Sequence, residues 1–192
     1  LEILQKNGVG IGTLFGMAMD RGWQRPRDTP KTARGDPEQK AAWIWDHAKD
    51  APNDHPYLVR KHVKSHGLRL HKESLTIPLR NVRGDLKTLQ FILPKPTDDG
   101  KDKLLLKDGE KQGAFFVIGT LSRARVALLC EGYATGASLH EHTGLPVAVC
   151  IDAGNLEPVA LVIRGAYPRL RMLICGDHDA FKAGGNTGQE KA

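Results

Sequence analysis

The second half of the chain alternates short apolar runs with stretches of helical spacing, and this order restricts the fold more than any other feature. Apolar runs at 126–130, 146–151 and 171–175 predict buried strands, and residues 134–142 and 156–166 predict the helices between them. This order predicts an α/β domain with a parallel, Rossmann-like sheet and helices on both faces. Ligands bind at the carboxyl ends of such strands, so the residues there are the first candidates for a site.

Acidic residues follow the first and the third of these runs. Glu131 comes directly after 126–130, and Asp177-His178-Asp179 comes soon after 171–175. Asp177 and Asp179 share one side because strand side chains alternate, so His178 points away and is given no catalytic role. Carboxylates meeting at one edge repel each other, and a divalent cation that prefers oxygen ligands, Mg2+ or Mn2+, relieves the repulsion. We therefore predict that Glu131, Asp177 and Asp179 are catalytic and bind the metal.

Each of these motifs also has a structural interpretation. Glu131 fits a first-turn carboxylate stabilised by the helix dipole, and the Asp-x-Asp motif alone is a common turn sequence. Asp152, after the second run, is expected to cap the next helix or to shape the floor of a cleft. Gly132, Gly136 and Gly188 are predicted to bind the cofactor or substrate, because glycine permits close approach of a phosphate or base. The glycine-rich loop that ends at Gly188 is equally consistent with a flexible turn.

The amino-acid sequence of these motifs resembles that of the Toprim domain, which is shared by DnaG-type primases, topoisomerases and some nucleases. The resemblance lies in Cys130-Glu131-Gly132-Tyr133-Ala134-Thr135-Gly136-Ala137-Ser138, in Asp152-Ala153-Gly154-Asn155-Leu156 and in Gly184-Gly185-Asn186-Thr187-Gly188. These three motifs look most similar to the corresponding motifs of primases from plasmids, phages and other mobile elements. The Toprim resemblance covers residues 113–192, and residues 39–112 resemble the segment that precedes Toprim in the same primases.

The resemblance implies a DNA primase, a nucleotidyltransferase of DNA replication. Its full-length form would synthesise RNA primers on a single-stranded DNA template from ribonucleoside triphosphates. It implies Mg2+ or Mn2+ as cofactor, with metal binding and proton transfer carried out by the three carboxylates. Primases of this type often carry a helicase domain in the same parent chain, and the implied location is the cytoplasm.

The sequence departs from the DnaG pattern in three respects. Thr135 stands where DnaG-type primases usually have a further acidic residue, and residues 181–186 lengthen the loop after Asp-x-Asp. The chain begins without Met and ends at Lys191-Ala192 within a predicted helix, so we expect a fragment whose Toprim domain is truncated at its carboxyl end. The isolated chain is therefore not expected to suffice for catalysis.

The formal net charge of +6 lies entirely in the first part of the chain. Residues 1–112 hold 21 Lys and Arg against 15 Asp and Glu, whereas residues 113–192 hold seven of each. A basic segment beside an acidic site fits a bound polyanion, although ordinary solubility charge gives the same excess. The predicted nucleic-acid contacts are Arg60, Lys61, Lys64, Lys101, Lys103, Lys107 and Lys111. An exposed mobile loop explains the lysines after residue 94 equally well.

The first part of the chain predicts a smaller α+β segment over 39–112. Helical spacing marks 39–50 and 57–64, and a β-hairpin is predicted over 74–93 with Pro78 at an edge or a bulge. Residues 1–38 are predicted to be a tail and linker and are a candidate for disorder.

The histidines and cysteines give weaker indications. His62 and His66 are four residues apart and would share one helix face, as a metal pair or, without a third ligand, as part of a solvated basic face. The three cysteines lack C-x-x-C spacing and predict reduced, buried apolar residues. The sequence contains no signal peptide and no run of ~18 apolar residues that a membrane span requires.

Other functions fit the same residues. A Toprim-type nuclease would use the same carboxylates. A topoisomerase would need a strand-attacking tyrosine on another domain, and Tyr57, Tyr133 and Tyr167 offer no persuasive candidate. A non-catalytic module that binds single-stranded DNA through the basic segment is the third alternative.

Overall fold

The computed structural model describes residues 35–176. The predictions for residues 1–34 and for the Asp177-His178-Asp179 motif lie outside the described residues, and so does the prediction for Gly188. Of the predicted site, the structure therefore describes Glu131 and the lysines and arginines of the preceding segment.

The described residues form four α-helices and nine strands. The helices are α1 Pro37–His47, α2 Pro56–Lys61, α3 Tyr133–Thr143 and α4 Leu156–Ala166, with a 3-10 turn at Ala153–Asn155 before α4. The strands are β1 Lys49–Asp50, β2 Arg69–His71, β3 Ser74–Arg80, β4 Leu86–Ile92, β5 Lys103–Leu105, β6 Phe116–Ile118, β7 Val126–Cys130, β8 Val147–Val149 and β9 Arg171–Cys175. None of the described helices is both long and apolar enough to cross a membrane.

The strands of the second half form one sheet in the order β6-β8-β7-β9. β7 pairs in parallel with β8 and with β9, as the alternation of strands and helices predicts, while β6 adds an antiparallel edge beside β8. The register places Cys130 opposite Val149 on one side and opposite Cys175 on the other. The three parallel strands therefore end at the same level.

Helices cover both faces of this sheet, and the α/β fold class is confirmed. Alternate residues of β7 and β8 point to opposite faces, so one strand serves two cores. The core on the α3 side contains Leu128, Cys130, Tyr133, Ala137, Val147 and Val149. The core on the α4 side contains Ala127, Leu129, Ala148, Cys150, Leu156, Val159 and Ile163.

The preceding segment forms a second sheet in the order β1-β2-β3-β4-β5, antiparallel throughout. The predicted hairpin is present as β3 and β4, and the Asn81 side chain closes its turn by accepting from the backbone N–H groups of Arg83 and Asp85. The pairing of β3 with β2 ends at Thr76. At Pro78, β3 therefore has no paired strand on its β2 side, and the missing N–H of the proline breaks no hydrogen bond there. The register then shifts at Leu79/Arg80, in keeping with the predicted edge or bulge.

One apolar core joins the two sheets. Leu75, Ile77 and Leu79 of β3 belong to the same cluster as Phe116 and Leu128 of the second sheet. The strands are also joined by backbone, because Arg80 and Phe115 exchange two N–H···O bonds of 2.9 Å. The domain boundary predicted near residue 112 remains a prediction, and the apolar core continues across it.

The two histidines predicted to share a helix face do not share one. α2 ends at Lys61, and His62 follows in the left-handed conformation with φ 55°. His66 lies further along, beyond the helix, where its Nε2 donates to Glu141 at 2.6 Å. The early helix end separates the two imidazoles, so the i, i+4 geometry of a helical metal pair is absent here.

Asn155 joins the segment before β6 to the turn after β8, and this contact gives a stability prediction. Its buried side chain accepts from Gly113 N–H at 2.8 Å and donates to the carbonyls of Ala114 and Cys150 at 2.9 Å each. We expect Asn155→Ala to lower the free energy of unfolding by about 3 kcal/mol, because buried backbone groups lose their partners. Urea unfolding measures it. Asn53→Ala removes one exposed hydrogen bond and should cost about 0.5 kcal/mol; equal losses would contradict the assignment.

Candidate functional site at the carboxyl edge of the parallel sheet

Two carboxylates lie where the parallel strands end. Glu131 follows β7 directly and Asp152 follows β8 after two residues, and both are partly buried. Burial, and then the charges of Asp152 and Glu131, raise the pKa of the Cys150 thiol to about 12. That thiol is therefore protonated at neutral pH. Carboxylate oxygen is the ligand that this edge offers.

The turn after β8 is strained. Ile151 has φ 69°, a conformation that is rare for a β-branched residue and costs of order 1–3 kcal/mol. The carbonyl just before it, on Cys150, is held by the buried Asn155 amide. This turn places Asp152 beside Lys111, with which it forms an ion pair.

The turn after β7 leaves space in front of Gly132. Gly132 caps α3 without a side-chain hydrogen bond. Among residues 35–176, a Cβ built there would meet Thr135 Oγ1 at 3.8 Å and the Lys103 ammonium at 3.9 Å. Within the described part of the chain, the start of α3 therefore has a cation at its side. This is consistent with the predicted close approach of a phosphate at Gly132, which remains a prediction.

Two of the lysines predicted to contact nucleic acid thus reach the acidic edge. Lys103 is carried there by β5, which pairs with β4, and Lys111 follows a tight crossing at Gly109. A Cβ at Gly109 would lie 2.0 Å from Thr88 Oγ1, so only glycine permits that crossing. The sequence identified the lysines but gave no indication that they meet the carboxylates, because the contact depends on how β5 pairs.

The other predicted contacts lie on exposed surface. Arg60 is 3.6 Å from Asp102, and Lys101 is 2.7 Å from Asp99. The side chains of Lys61, Lys64 and Lys107 are exposed. All five belong to the preceding segment, and their role as nucleic-acid contacts remains a prediction.

Gly136 has a packing role in this structure. A Cβ there would lie 2.6 Å from Val149 Cγ2 and 3.0 Å from Cys130 Sγ. The absent side chain lets α3 lie against β7 and β8, which explains the glycine without a ligand. Its assignment to ligand binding stays a prediction.

Tyrosines of the two parts hold the start of α3. A hydrogen bond from the Ala134 backbone reaches the Tyr57 hydroxyl, and Tyr133 donates in return to the Lys64 carbonyl at 2.7 Å. Burial, aided by the charge of Asp102, raises the pKa of Tyr57 to about 12, and burial raises that of Tyr133 further. Both hydroxyls are therefore protonated at neutral pH. The preceding segment in this way fixes the turn that carries Glu131.

His55 and Pro56 build the helix that carries Tyr57. His55 accepts from Tyr57 N–H through Nδ1 at 3.2 Å and donates through Nε2 to the Glu73 carbonyl at 3.0 Å. Pro56 occupies the first helical position, where a missing N–H costs nothing. The segment His55-Pro56-Tyr57 therefore has a structural role, because it positions the tyrosine that contacts the first turn of α3.

The described residues do not form a metal site by themselves. Among residues 35–176, no three His, Cys, Asp or Glu side chains lie close enough together to hold an ion. The donor chemistry nevertheless fits Mg2+, because Glu131 presents a carboxylate and Lys111 neutralises the neighbouring Asp152. The predicted set of Glu131, Asp177 and Asp179 remains a prediction, since two of its members lie outside the described residues.

Comparison with known proteins agrees with this geometry. Residues 126–192, from the first residue of β7 onward, match the family described as Toprim domain. Residues 126–192 are a Toprim domain. The resemblance seen in Glu131-Gly132-Tyr133 is thereby confirmed. Glu131 directly follows the first strand of the Toprim domain.

Two curated relatives extend the similarity toward primases. One DNA primase TraC from Escherichia coli is 34% identical over 146 residues, covering 71% of this chain and 10% of the relative. A second DNA primase TraC from Escherichia coli is 34% identical over 151 residues, covering 71% of this chain and 13% of the relative. The chain thus spans about a tenth of the length of the curated relatives it matches. The alignment is longer than the Toprim domain, so it includes part of the preceding segment.

The packing of Gly136 predicts opposite effects for one substitution in two helices. Gly136→Ala should lower the free energy of unfolding by about 1–3 kcal/mol, since the methyl overlaps Val149. Gly165→Ala, where nothing lies within 4 Å, should raise it by about 0.5–1 kcal/mol through helix propensity. Chemical denaturation compares the two. Val149→Ala should recover part of the Gly136→Ala loss, and no recovery would contradict the overlap.

Glu141 predicts a pH dependence of stability. Burial acts to raise its pKa, but hydrogen bonds from the Lys64 backbone and from His66 outweigh it and hold the pKa below the ordinary 4.5. Such a carboxyl stabilises the fold above the unfolded pKa, and the contribution is lost as the pH falls through the lower folded value. We expect the stability of the wild type to fall more steeply than that of Glu141→Gln between about pH 5 and pH 3. Thermal melts at each pH measure it, and parallel curves would refute it.

Proposed function

We propose that the chain is the Toprim-centred part of a DNA primase of a mobile element. In the longer protein, it would take part in Mg2+-dependent synthesis of RNA primers on single-stranded DNA from ribonucleoside triphosphates. The similarity to two DNA primases supports the reaction class. Glu131 lies at the carboxyl end of a central parallel strand, and the Lys103 ammonium lies near the next residue, Gly132. This position supports a site for phosphoryl chemistry.

The edge combines the groups that nucleotidyl transfer needs. Glu131 would hold the ion or take the proton of the attacking 3′-hydroxyl, and Asp177 and Asp179 would complete the carboxylate set. Bound Mg2+ would neutralise charge on the attacking and leaving oxygens. Lys103, at the open start of α3, is placed to contact a phosphate there. The helix start adds backbone N–H groups that attract an anion.

The basic surface of the preceding segment would hold the DNA strand. Arg60, Lys61, Lys64, Lys101 and Lys107 are exposed, and they belong to the same compact unit as the acidic edge. Phosphate contacts of this kind position a strand without reading its sequence. A template held there would be presented to the edge where Glu131 lies.

The decisive experiment removes one charge from the edge. Glu131→Gln, placed in the longer protein, should lower primer synthesis by at least about 100-fold, the order expected for one group engaged in proton transfer. Glu157→Gln changes an exposed carboxylate in the first turn of α4 and serves as the matched control. Incorporation of labelled ribonucleotides on a single-stranded template measures both. Normal synthesis by Glu131→Gln, with the control also normal, would overturn the assignment.

The wild type and Glu131→Gln also distinguish primer synthesis from two alternatives, nuclease activity and DNA binding without catalysis. A Toprim-type nuclease would cut plasmid or single-stranded DNA in Mg2+ and lose cutting, rather than synthesis, in Glu131→Gln. A binding module would show neither activity and bind DNA equally with and without the substitution. The NMR amide shifts of this chain during a Mg2+ titration give a readout besides activity. Shifts around Glu131 and Gly132 that vanish in Glu131→Gln are expected for a metal site.

A further inference from the structure

A cleft lies at the amino edge of the parallel sheet, opposite the edge that carries Glu131. It has a volume of about 440 Å³ and opens between the β3–β4 turn and the loop that joins β6 to β7. Arg80, Val82, Phe115, Leu121 and Tyr167 are among the residues that line it. The volume is in the range of small-ligand sites, and neither Glu131 nor Asp152 lines the cleft.

The cleft exists because two strands separate. β3 and β6 are joined by the single bridge between Arg80 and Phe115, after which β3 turns into the hairpin and β6 runs on beside β8. Pro78 provides no N–H on that side of β3. The Arg80 guanidinium donates to the Gly84 carbonyl at 2.9 Å and fixes the turn that forms one wall.

Arginines surround this edge. Residues 113–176 contain five arginines and no lysine, in contrast to the lysine-rich stretch before them. The exposed arginines at this edge are Arg83, Arg123, Arg125, Arg169 and Arg171, the last at the start of β9. Residues 80–85, 119–125 and 167–171 contain one carboxylate, Asp85, which Arg83 contacts at 3.3 Å. The edge is therefore strongly positive, whereas the carboxylates of the Toprim sheet stand at its other end.

Backbone contacts bring these arginines together. Arg171 N–H donates to the Arg125 carbonyl at 3.0 Å, which joins the start of β9 to the start of β7. Arg164 donates to the carbonyls of Pro168 and Leu170, which fixes the loop that carries Tyr167 and Arg169. These hydrogen bonds hold the backbone at Arg125, Arg169 and Arg171. Arginine forks suit phosphate oxygens better than lysine does.

The cleft also offers an aromatic surface. Tyr167 is half-buried against the α4-side core and lines the cleft, and Phe115 lies deeper. Aromatic rings flanked by cations are the usual means of holding single strands, because a base stacks on the ring while the phosphates meet the cations. We propose that this cleft is a second binding site for single-stranded nucleic acid, with a base on Tyr167 and phosphates on Arg83, Arg123 and Arg125.

This site is separate from the proposed catalytic edge. β7 has five residues, so its two ends are about 15 Å apart at the usual rise of a strand. A strand held in the cleft would be tethered away from Glu131 without occupying the carboxylates. Its binding needs neither Mg2+ nor Glu131, so it can be tested independently of the proposed catalysis.

The test is binding of a fluorescent single-stranded oligonucleotide of about 12 residues, measured by anisotropy with EDTA present. Arg123→Glu/Arg125→Glu should weaken binding at least about tenfold and reduce the salt slope by about 1.4, the value for two phosphates. Lys40→Glu/Lys49→Glu makes the same change in net charge at exposed lysines elsewhere and should have a much smaller effect. Equal weakening by both pairs would overturn the proposal, because net charge alone would then explain binding.

A second variant tests the aromatic contact. Tyr167→Leu keeps the apolar packing but removes the stacking ring, so it should weaken binding about tenfold with an unchanged salt slope. Thermal melting confirms that each variant is folded. Photocrosslinking with 5-iododeoxyuridine should label the peptide that contains Tyr167. Wild-type affinity of Tyr167→Leu without a crosslink at that peptide would overturn the proposal.

Discussion

The common end of three parallel strands is the constraint on which the rest of the structure depends. Cys130, Val149 and Cys175 lie at one level, so the chain leaves the sheet three times along a single edge. A parallel sheet must be covered on both faces, and α3 and α4 provide that cover. The register thereby determines both what must be packed against the sheet and where polar groups emerge from it. Glu131 and Asp152 are placed by this register and by turn geometry.

The preceding segment supports this edge. Its β3 residues complete the core on the α3 side, and Tyr57 reaches the first turn of α3. Tyr133 returns the contact to the Lys64 carbonyl, so each part supplies a buried hydroxyl to the other. Such buried hydrogen bonds tolerate little displacement. The turn that carries Glu131 is therefore held by residues some seventy positions earlier in the chain, and not by the Toprim domain alone.

Much of this architecture follows from the sequence, and the remainder depends on long-range contacts. The β7, α4 and β9 segments were predictable because strongly apolar runs alternate with helical spacing, and the hairpin because Asn81-Val82-Arg83-Gly84-Asp85 is turn chemistry. Glu131 was placed by its position after a strand. The early end of α2 could not be foreseen, since His62 adopts a left-handed conformation that few non-glycine residues favour. Nor could the meeting of Lys111 with Asp152, which requires the strand order of both sheets.

In the ion pair of Lys111 and Asp152, the Lys111 ammonium is a counterion for the carboxylate, and it belongs to the protein itself. Both side chains are close to half exposed, so the pair contributes only about 0–1 kcal/mol to stability. Opening it is thermally easy, and each partner can then meet an incoming group of opposite charge. An arriving polyanion would find an ammonium already in place rather than a bare carboxylate. Lys111 can therefore exchange one carboxylate for another acidic partner without a large rearrangement of the sheet.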